Sequence, residues 1–455
     1  MAWSECPFPH GRPSAGYHLY PDLGIIEIIN PKTGEVVPNG QPGEIVFTPL
    51  DACGSVALRY RTGDFTDGGI TMEPCPYCHR MVPRLTGNIS RSSEIREMNL
   101  DKIKGTLVDF NELEQLGREG VRGKIVLFNA VYRGYGQTVV YRSNGPSRAA
   151  ALGAVAALVR TITPLAMQLP HTGSLTYDDA QPKIPAAAVS LEDAMMLSRF
   201  YAAKIPIRVT LTMGAHMEPD ADSFDVMGEI PGREHPEEVV VLGGHLDSWD
   251  VGRGAQDDGS GIIASLQAVA IIKKLGLRPR RTIRVVFWVN EENGARGGQA
   301  YRAWIGNALA NHVAAIEMDG GAERPLGFGY GAGGGRAVIG LPPTSAGQFA
   351  ADQSAAEKGS VATLRQIGKL LERIGASEIT PGGGGSDIGP ITREGVPSLA
   401  PRTTGEHYFD WHHSEADTLD KVDLEDFRKN IAALAVMSYA LADMPGRIAG
   451  ERQSN

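Results

Sequence analysis

Three continuous apolar runs constrain most strongly what this chain can fold into: Val239–Leu242, Thr282–Val289 and Val313–Met318. Apart from Thr282, Arg284 and Glu317 they are apolar at successive positions rather than alternate ones, so strands of this kind must be covered on both faces. Helical patterns lie between and after them, at Gly261–Leu275, Ala346–Ile374 and Leu424–Leu441. This alternation predicts an α/β domain over residues 223–455, a mostly parallel sheet flanked by helices. Ligands of such sheets gather at the C-terminal ends of the strands.

Two further segments precede it. Residues 1–118 read as β-rich, with short runs Ile25–Ile29 and Glu44–Thr48 split by turn signals at Pro31–Gly34 and Pro38–Gly43. Residues 119–222 read as a small α/β domain. Lys124–Ala130 is a buried strand, Ser147–Val159 an Ala-rich helix, Leu191–Ala203 an amphipathic helix and Ile205–Met213 a strand. The polar stretch Asp220–Ser223 suits a linker. A length of 455 residues fits two or three such domains.

The sequence following each apolar run carries the chemistry. Val239–Leu242 leads into GGHLDSWDVGRGAQDDGSG, Thr282–Val289 into NEENG, and Val313–Met318 into DGG; near the end stands YFDWHHSEADT. His245, Asp257, Glu292, Asp319 and His413 are therefore expected at one rim of one sheet. Mixed His and carboxylate ligation with an open position is what hydrolytic zinc needs. Five ligands exceed the needs of one catalytic zinc and suit two zincs sharing a carboxylate. A metal pair can activate a water and polarise a scissile carbonyl.

Neighbours at a strand end point in different directions, so Glu292 can bind metal while Glu291 faces the substrate as general base. Asp247, two residues after His245, and Asp417, four after His413, are placed to hold the two imidazoles from behind. The bland alternative is that Asp257 or Asp258 merely caps the following helix. The joint placement of four acid or His clusters outweighs it. Neither a G-x-S-x-G elbow nor an H-E-x-x-H motif occurs, and residues 119–455 hold no cysteine.

These residues carry a resemblance. The words GKIVLFNA, YRSNGPSRAAALGAVAALVR, PHTG, VVLGGHLDSWDVGRGAQDDGSG, LGLRPRRTIRVVFWVNEENG, GGGSDIG and YFDWHHSEADT resemble the carboxypeptidase Q (plasma glutamate carboxypeptidase)-like co-catalytic zinc peptidases. The resemblance implies one zinc on His245 and Asp319, a second on Glu292 and His413, and Asp257 bridging them. It implies Glu291 as base and then proton donor to the leaving amine. It puts His412 where related aminopeptidases have an aromatic residue that steadies the oxyanion. It further implies a cis peptide at Asp257–Asp258, a protease-associated domain over 119–222, unblocked dipeptides or short peptides as substrates, and a homodimer.

The front segment resembles a different family. GYHLYPDLGIIEIINPKTGEVVPNGQPGEIVFTPL, RYRTGD, EPCPYC and KGTLVDFNELE are similar to the C-terminal part of phenylacetate-CoA ligase-like adenylate-forming enzymes. That resemblance implies a ribose-holding role for Asp64. The phosphate-binding loop and acyl pocket lie upstream in that family, so no ligase activity is expected. All four cysteines fall in this segment: Cys6, Cys53, Cys75 and Cys78. Cys75 and Cys78, with Cys6 and either His18 or Cys53, form a candidate structural zinc set. The alternative is a reduced surface pair.

A net charge of −9 argues against a nucleic-acid-binding surface, which needs clustered Lys and Arg. The N-terminus MAWSECPFPHGRPS has no apolar leader core, and no apolar run is long enough to cross a bilayer. The expectation is a cytoplasmic di-zinc exopeptidase fused to a ligase-like fragment, with peptide as its partner and no membrane. An aminopeptidase or aminoacylase-like amidohydrolase on the same metal pair is the alternative among enzymes. A catalytically inactive binding or scaffold protein is the alternative outside them.

Overall fold

The computed structural model describes residues 3–5, 16–19, 24–49, 60–87, 89–91, 98–100, 103–107, 109–216, 218–332 and 355–449. Contacts divide the chain into two compact units, residues 1–99 with 210–219, and residues 100–209 with 220–455. Cys6 and Cys53 lie outside the described residues.

The first unit is built of antiparallel strands. Gly24–Ile29 pairs with Gly43–Pro49 so that Ile28 faces Ile45, and both side chains enter a small core with Leu19 and Leu85. A second sheet joins Tyr17–Leu19, Arg84–Thr86 and Gly69–Thr71.

The second unit opens on a four-stranded parallel sheet. Its strands are β1 (Ile103–Leu107), β2 (Ile125–Phe128), β3 (Ala156–Arg160) and β4 (Ala186–Val189), in that order. Helices α1 (Phe110–Val121), α2 (Gly145–Ala151) and α3 (Leu191–Ala202) connect and flank them. Two differences from the sequence reading stand out. Pairing of β1 with β2 draws residues 100–118 into this unit, so the contact boundary falls at Asn99 and not at 118. The predicted helix Ser147–Val159 ends at Ala151, and its second half is β3. Gly153, at φ +85°, turns the chain there, and Ala156–Arg160 is wholly buried between β2 and β4. Alanine suits a helix, but the slot available is a central strand.

Residues 223–455 form a seven-stranded sheet, the mostly parallel α/β architecture expected. Its strands are β5 (Val226–Ile230), β6 (His235–His245), β7 (Arg281–Trp288), β8 (His312–Glu317), β9 (Pro325–Gly331), β10 (Glu378–Pro381) and β11 (Ser398–Thr403). The order across the sheet is β5-β7-β6-β8-β11-β9-β10. β6, β7, β8 and β11 run parallel, while β5 and β9 pair antiparallel with β7 and β11.

The continuous apolar runs are explained by the layers. Val240, Leu242, Ile283 and Val285 pack beneath helices α4 (Ser260–Lys274) and α7 (Leu424–Asp443). Val239, Val241, Val286 and Trp288 face the opposite side, against Tyr301 and Ile305 of helix α5 (Arg296–Ile305). Helix α6 (Ala355–Lys369) occupies part of the predicted Ala346–Ile374, of which residues 346–354 lie outside the described ones. No helix among the described residues is long and apolar enough to cross a membrane.

The end of α7 is tied to the sheet by an ion cluster of the buried Arg281 with the half-buried Glu238 and Arg447. Glu238 accepts from Arg281 and, at 3.0 and 2.8 Å, from Arg447, and Arg281 also donates to the Met444 carbonyl at 2.6 Å. Burial pushes the Glu238 pKa up, but the two guanidinium groups outweigh it and hold it below the ordinary value. Removing the carboxylate leaves Arg281, 2% exposed, without its anionic partner. Glu238→Ala is expected to cost about 3–5 kcal/mol, read as a lower midpoint in urea unfolding. Because the folded pKa is depressed, the stability this pair contributes is present above the unfolded carboxylate pKa. It is lost as pH falls through the folded value.

Candidate metal centre

The parallel arrangement delivers the ligand candidates to one rim. His245 is the last residue of β6 and lies opposite Trp288, the last of β7. Glu291 and Glu292 follow β7 within four residues, and Asp319 follows β8 by two. Asp257 stands in a tight turn of helix, Ala255–Gly259, leading into α4, and the Asp257–Asp258 peptide is cis. His413 arrives from the far end of the sequence with φ +57°, a left-handed conformation that costs a non-glycine residue about 1–3 kcal/mol and is characteristic of functional sites.

Asp257 lies at the centre. Its Oδ1 is 3.3 Å from His245 Nε2, which is 3.4 Å from Asp319 Oδ1. Its Oδ2 is 3.2 Å from His413 Nε2, which is 3.0 Å from Glu292 Oε2. One carboxylate thus faces two His–carboxylate pairs, one with each oxygen. His245, Asp257 and Glu292 bring their ligand atoms within 4.8 Å of one another, as do His245, Asp258 and Asp319.

Both imidazoles are oriented as ligands require. His245 Nδ1 is bonded to the Asp247 carbonyl at 2.7 Å and His413 Nδ1 to the Thr172 carbonyl at 3.2 Å. With Nδ1 as the donor, the neutral form of each ring has its lone pair on Nε2, the nitrogen that faces the carboxylates. His245 Nε2, Asp257 Oδ2 and Glu292 Oε1 are buried and have no hydrogen-bond partner. Burial alone would lower the His245 and His413 pKa values. The surrounding carboxylates outweigh it, raising His245 strongly and His413 to about 9. Burial raises Asp258 and Asp319 well above the carboxylate range. A field this negative, converging on unpartnered ligand atoms, fits divalent cations.

The two residues expected to brace the imidazoles do something else. Asp247 holds His245 through its main-chain carbonyl; its carboxylate lies 3.8 Å from that ring and accepts instead from the backbone N–H groups of Glu291 at 3.0 Å and Glu292 at 3.3 Å. Asp417 accepts from the Gln256 and Asp257 N–H groups at 2.8 and 3.1 Å. Both are drawn to turns whose amide groups have no other partner, the stronger demand in a buried loop. Thr172, from the 119–222 segment, supports His413 instead.

Asp258 has the capping role weighed for it, accepting from Gly261 N–H at 3.0 Å, and it also accepts from His245 N–H at 3.0 Å. Gly244 makes room for it: a Cβ there would lie 2.0 Å from Asp258 Oδ2.

Glu291 is half-buried, and burial raises its pKa. Asn290, at φ +66°, is left-handed at the start of the turn that carries the two glutamates. Glu292 is fixed by the Trp249 indole N–H at 2.6 Å.

His412 is buried, 3.3 Å from Asp257 Oδ2 through Nε2, and stacked on His413 with centroids 3.7 Å apart. Its Nδ1 lies 2.9 Å from His171 Nε2, whose own Nδ1 is 3.0 Å from Arg142 Nη1. Sequence reasoning gave His171 and Arg142 no role. The available signal was their place in PHTG and YRSNG, words shared with the resembled family but lying outside the ligand-bearing strand ends.

In the first unit, His18, Cys75 and Cys78 bring their ligand atoms within 4.8 Å of one another. Cys78 Sγ is 3.4 Å from His18 Nε2, and the buried His18 Nδ1 has no partner. Burial would raise the Cys75 thiol pKa. Hydrogen bonds from the Cys78 and Tyr77 backbone and from His18 and Cys78 outweigh it and bring it down to about 6.

Comparison with known proteins places this centre in context. Residues 225–438 match the model of peptidase family M28. Over 319 residues the chain is 38% identical to carboxypeptidase Q of Homo sapiens, covering 70% of this chain and 62% of that protein. It therefore spans less than two thirds of the length of the curated relatives it matches. Among solved structures it is similar to a peptidase M28 precursor from Shewanella amazonensis SB2B, with TM-score 0.67 and 27% identity over 81% of this chain and 82% of that one. It also shares the fold of BSAP, a zinc aminopeptidase from Bacillus subtilis, with TM-score 0.54 and 17% identity over 81% and 83% of the two chains. The domain formed by residues 223–455 thus has the fold of the M28 peptidases.

Proposed function

We propose, from the match of residues 225–438 to peptidase family M28, that this chain is a zinc metallo-exopeptidase that hydrolyses unblocked dipeptides or short peptides. The observation that carries the reading is Asp257, whose two oxygens face His245 with Asp319 and His413 with Glu292. Those five residues would hold two zinc ions. Bound there, zinc supplies Lewis acidity toward the scissile carbonyl and makes a water acidic enough to lose a proton near neutral pH.

The rest is the work of side chains. Glu291 accepts the proton from the attacking water at its carboxylate and delivers it to the departing amine. Its backbone is held by Asp247, so the carboxylate is aimed without being consumed by a turn. No covalent acyl-enzyme is involved. Trp249 and Ser414 line a water-sized cavity beside Asp257, Glu292 and His413. In the first unit, His18, Cys75 and Cys78 would hold a structural zinc, for which a fourth ligand is needed.

The test is hydrolysis of unblocked dipeptides and of dipeptides blocked at either end, with zinc content measured in parallel. Activity is expected to vanish on chelation and return with zinc, and one block is expected to abolish it. Cys75→Ser should lower the zinc content by one ion and leave hydrolysis intact. A folded chain that binds no zinc would sink the reading. A chain that binds zinc at the catalytic site but cleaves none of these peptides would favour the inactive scaffold.

A further inference from the structure

Arg142 is 8% exposed, and no acidic side chain of the described residues forms an ion pair with it. Its Nη1 reaches His171 Nδ1 at 3.0 Å and the Thr172 carbonyl at 2.7 Å, and its Nη2 reaches Tyr135 Oη at 3.1 Å. A guanidinium can only donate. His171 Nδ1 must therefore accept, which makes its Nε2 the N–H. That N–H points at His412 Nδ1, 2.9 Å away, so His412 Nδ1 must accept in turn. The only place left for the His412 proton is Nε2, 3.3 Å from Asp257 Oδ2.

We infer that Arg142 and His171 are positioning residues that impose one direction on the chain of hydrogen bonds ending at His412. They hold His412 as an N–H donor beside the bridging carboxylate and keep it from serving as a ligand. The inference rests on the metal reading of Asp257. It also gives two neighbouring histidines opposite settings: His413 has Nε2 free as a lone pair because Thr172 takes its Nδ1 proton, whereas His412 carries its proton on Nε2. Arg142, His171 and Thr172 all come from the 119–222 segment, so that segment completes the metal centre. Outer partners of this kind typically contribute about 10–100-fold to metal affinity or activity.

The experiment is zinc affinity, measured on the full chain by competition with a chromophoric chelator. Kinetics and circular dichroism are recorded on the same samples. Arg142→Met and His171→Phe, which break the chain, are expected to weaken zinc binding about 10–100-fold with the fold intact. Arg142→Lys keeps a donor, and His171→Gln can accept from Arg142 and donate to His412, so both should recover most of the affinity. His171→Phe added to His412→Phe should cost nothing further. Should Arg142→Met fail to fold, the contrast between His171→Phe and His171→Gln decides. Wild-type affinity in His171→Phe, an equal loss in His171→Gln, or additive losses in the double variant would overturn the inference while leaving the zinc reading standing. A wild-type chain without zinc at Asp257 would overturn both.

Discussion

Glu291→Gln is expected to lower kcat about 100- to 10,000-fold while KM and zinc content stay close to wild type. The substitution keeps the shape of the side chain and removes only its capacity to take a proton. Glu291 belongs to neither carboxylate–imidazole cluster around Asp257, whereas Glu292, its neighbour, does. The metal pair should therefore survive the change. The turn should survive as well, because Asp247 grips the backbone N–H of residue 291 and not its side chain. Burial raises the Glu291 pKa, and the group must be ionised to accept a proton. Wild-type activity should thus decline as pH falls through that raised value, and the residual activity of the Gln variant should lack this acid limb. Steady-state kinetics across pH with zinc analysis checks it. A Gln variant with wild-type kcat would remove Glu291 from the mechanism.

Asp257→Asn is expected to have the other large effect, and to act on both ions at once. An amide presents one carbonyl oxygen and one NH2, so it cannot offer an anionic oxygen to both His245 with Asp319 and His413 with Glu292. The weakening should exceed the roughly 10–100-fold that loss of an outer partner costs. Hydrolysis should fall to background at ordinary zinc concentrations. Equilibrium zinc titration reads the result. If one zinc keeps its wild-type affinity, Asp257 serves a single ion and the shared-carboxylate reading is wrong. If both do, Asp257 is not a ligand at all.

The two predictions differ in how far the sequence anticipated them. Glu291, Glu292, His245 and Asp319 could be grouped without a structure, because each follows an apolar run and parallel strands end at one rim. Asp257 and His413 could be added from the words in which they stand. The bracing of these residues could not be read in the same way. Asp247 and Asp417 sit at tempting spacings from His245 and His413, yet their carboxylates go to backbone amide groups. Thr172, which supports His413, is 241 residues away in sequence.

The helix–strand error at Ser147–Val159 has a related origin. The run mixes alanine and leucine, which favour a helix, with valine, which favours a strand, so local composition does not decide between the two. Burial of residues 156–160 between two neighbours decided the matter.

What the sequence alone determined is therefore the layer architecture of residues 223–455 and the inventory of groups at its rim. Both follow from patterns repeated within a few residues, where apolar runs demand burial and strand direction fixes which end carries the loops. Only the tertiary structure decided which atom of each group faces which. Hydrogen-bond direction at Arg142, His171 and His412 depends on partners brought together from residues 142, 171 and 412. The compact unit likewise begins at Leu100 because Ile103–Leu107 finds a parallel neighbour in Ile125–Phe128. Such pairings depend on long-range packing, and local sequence carries no record of it.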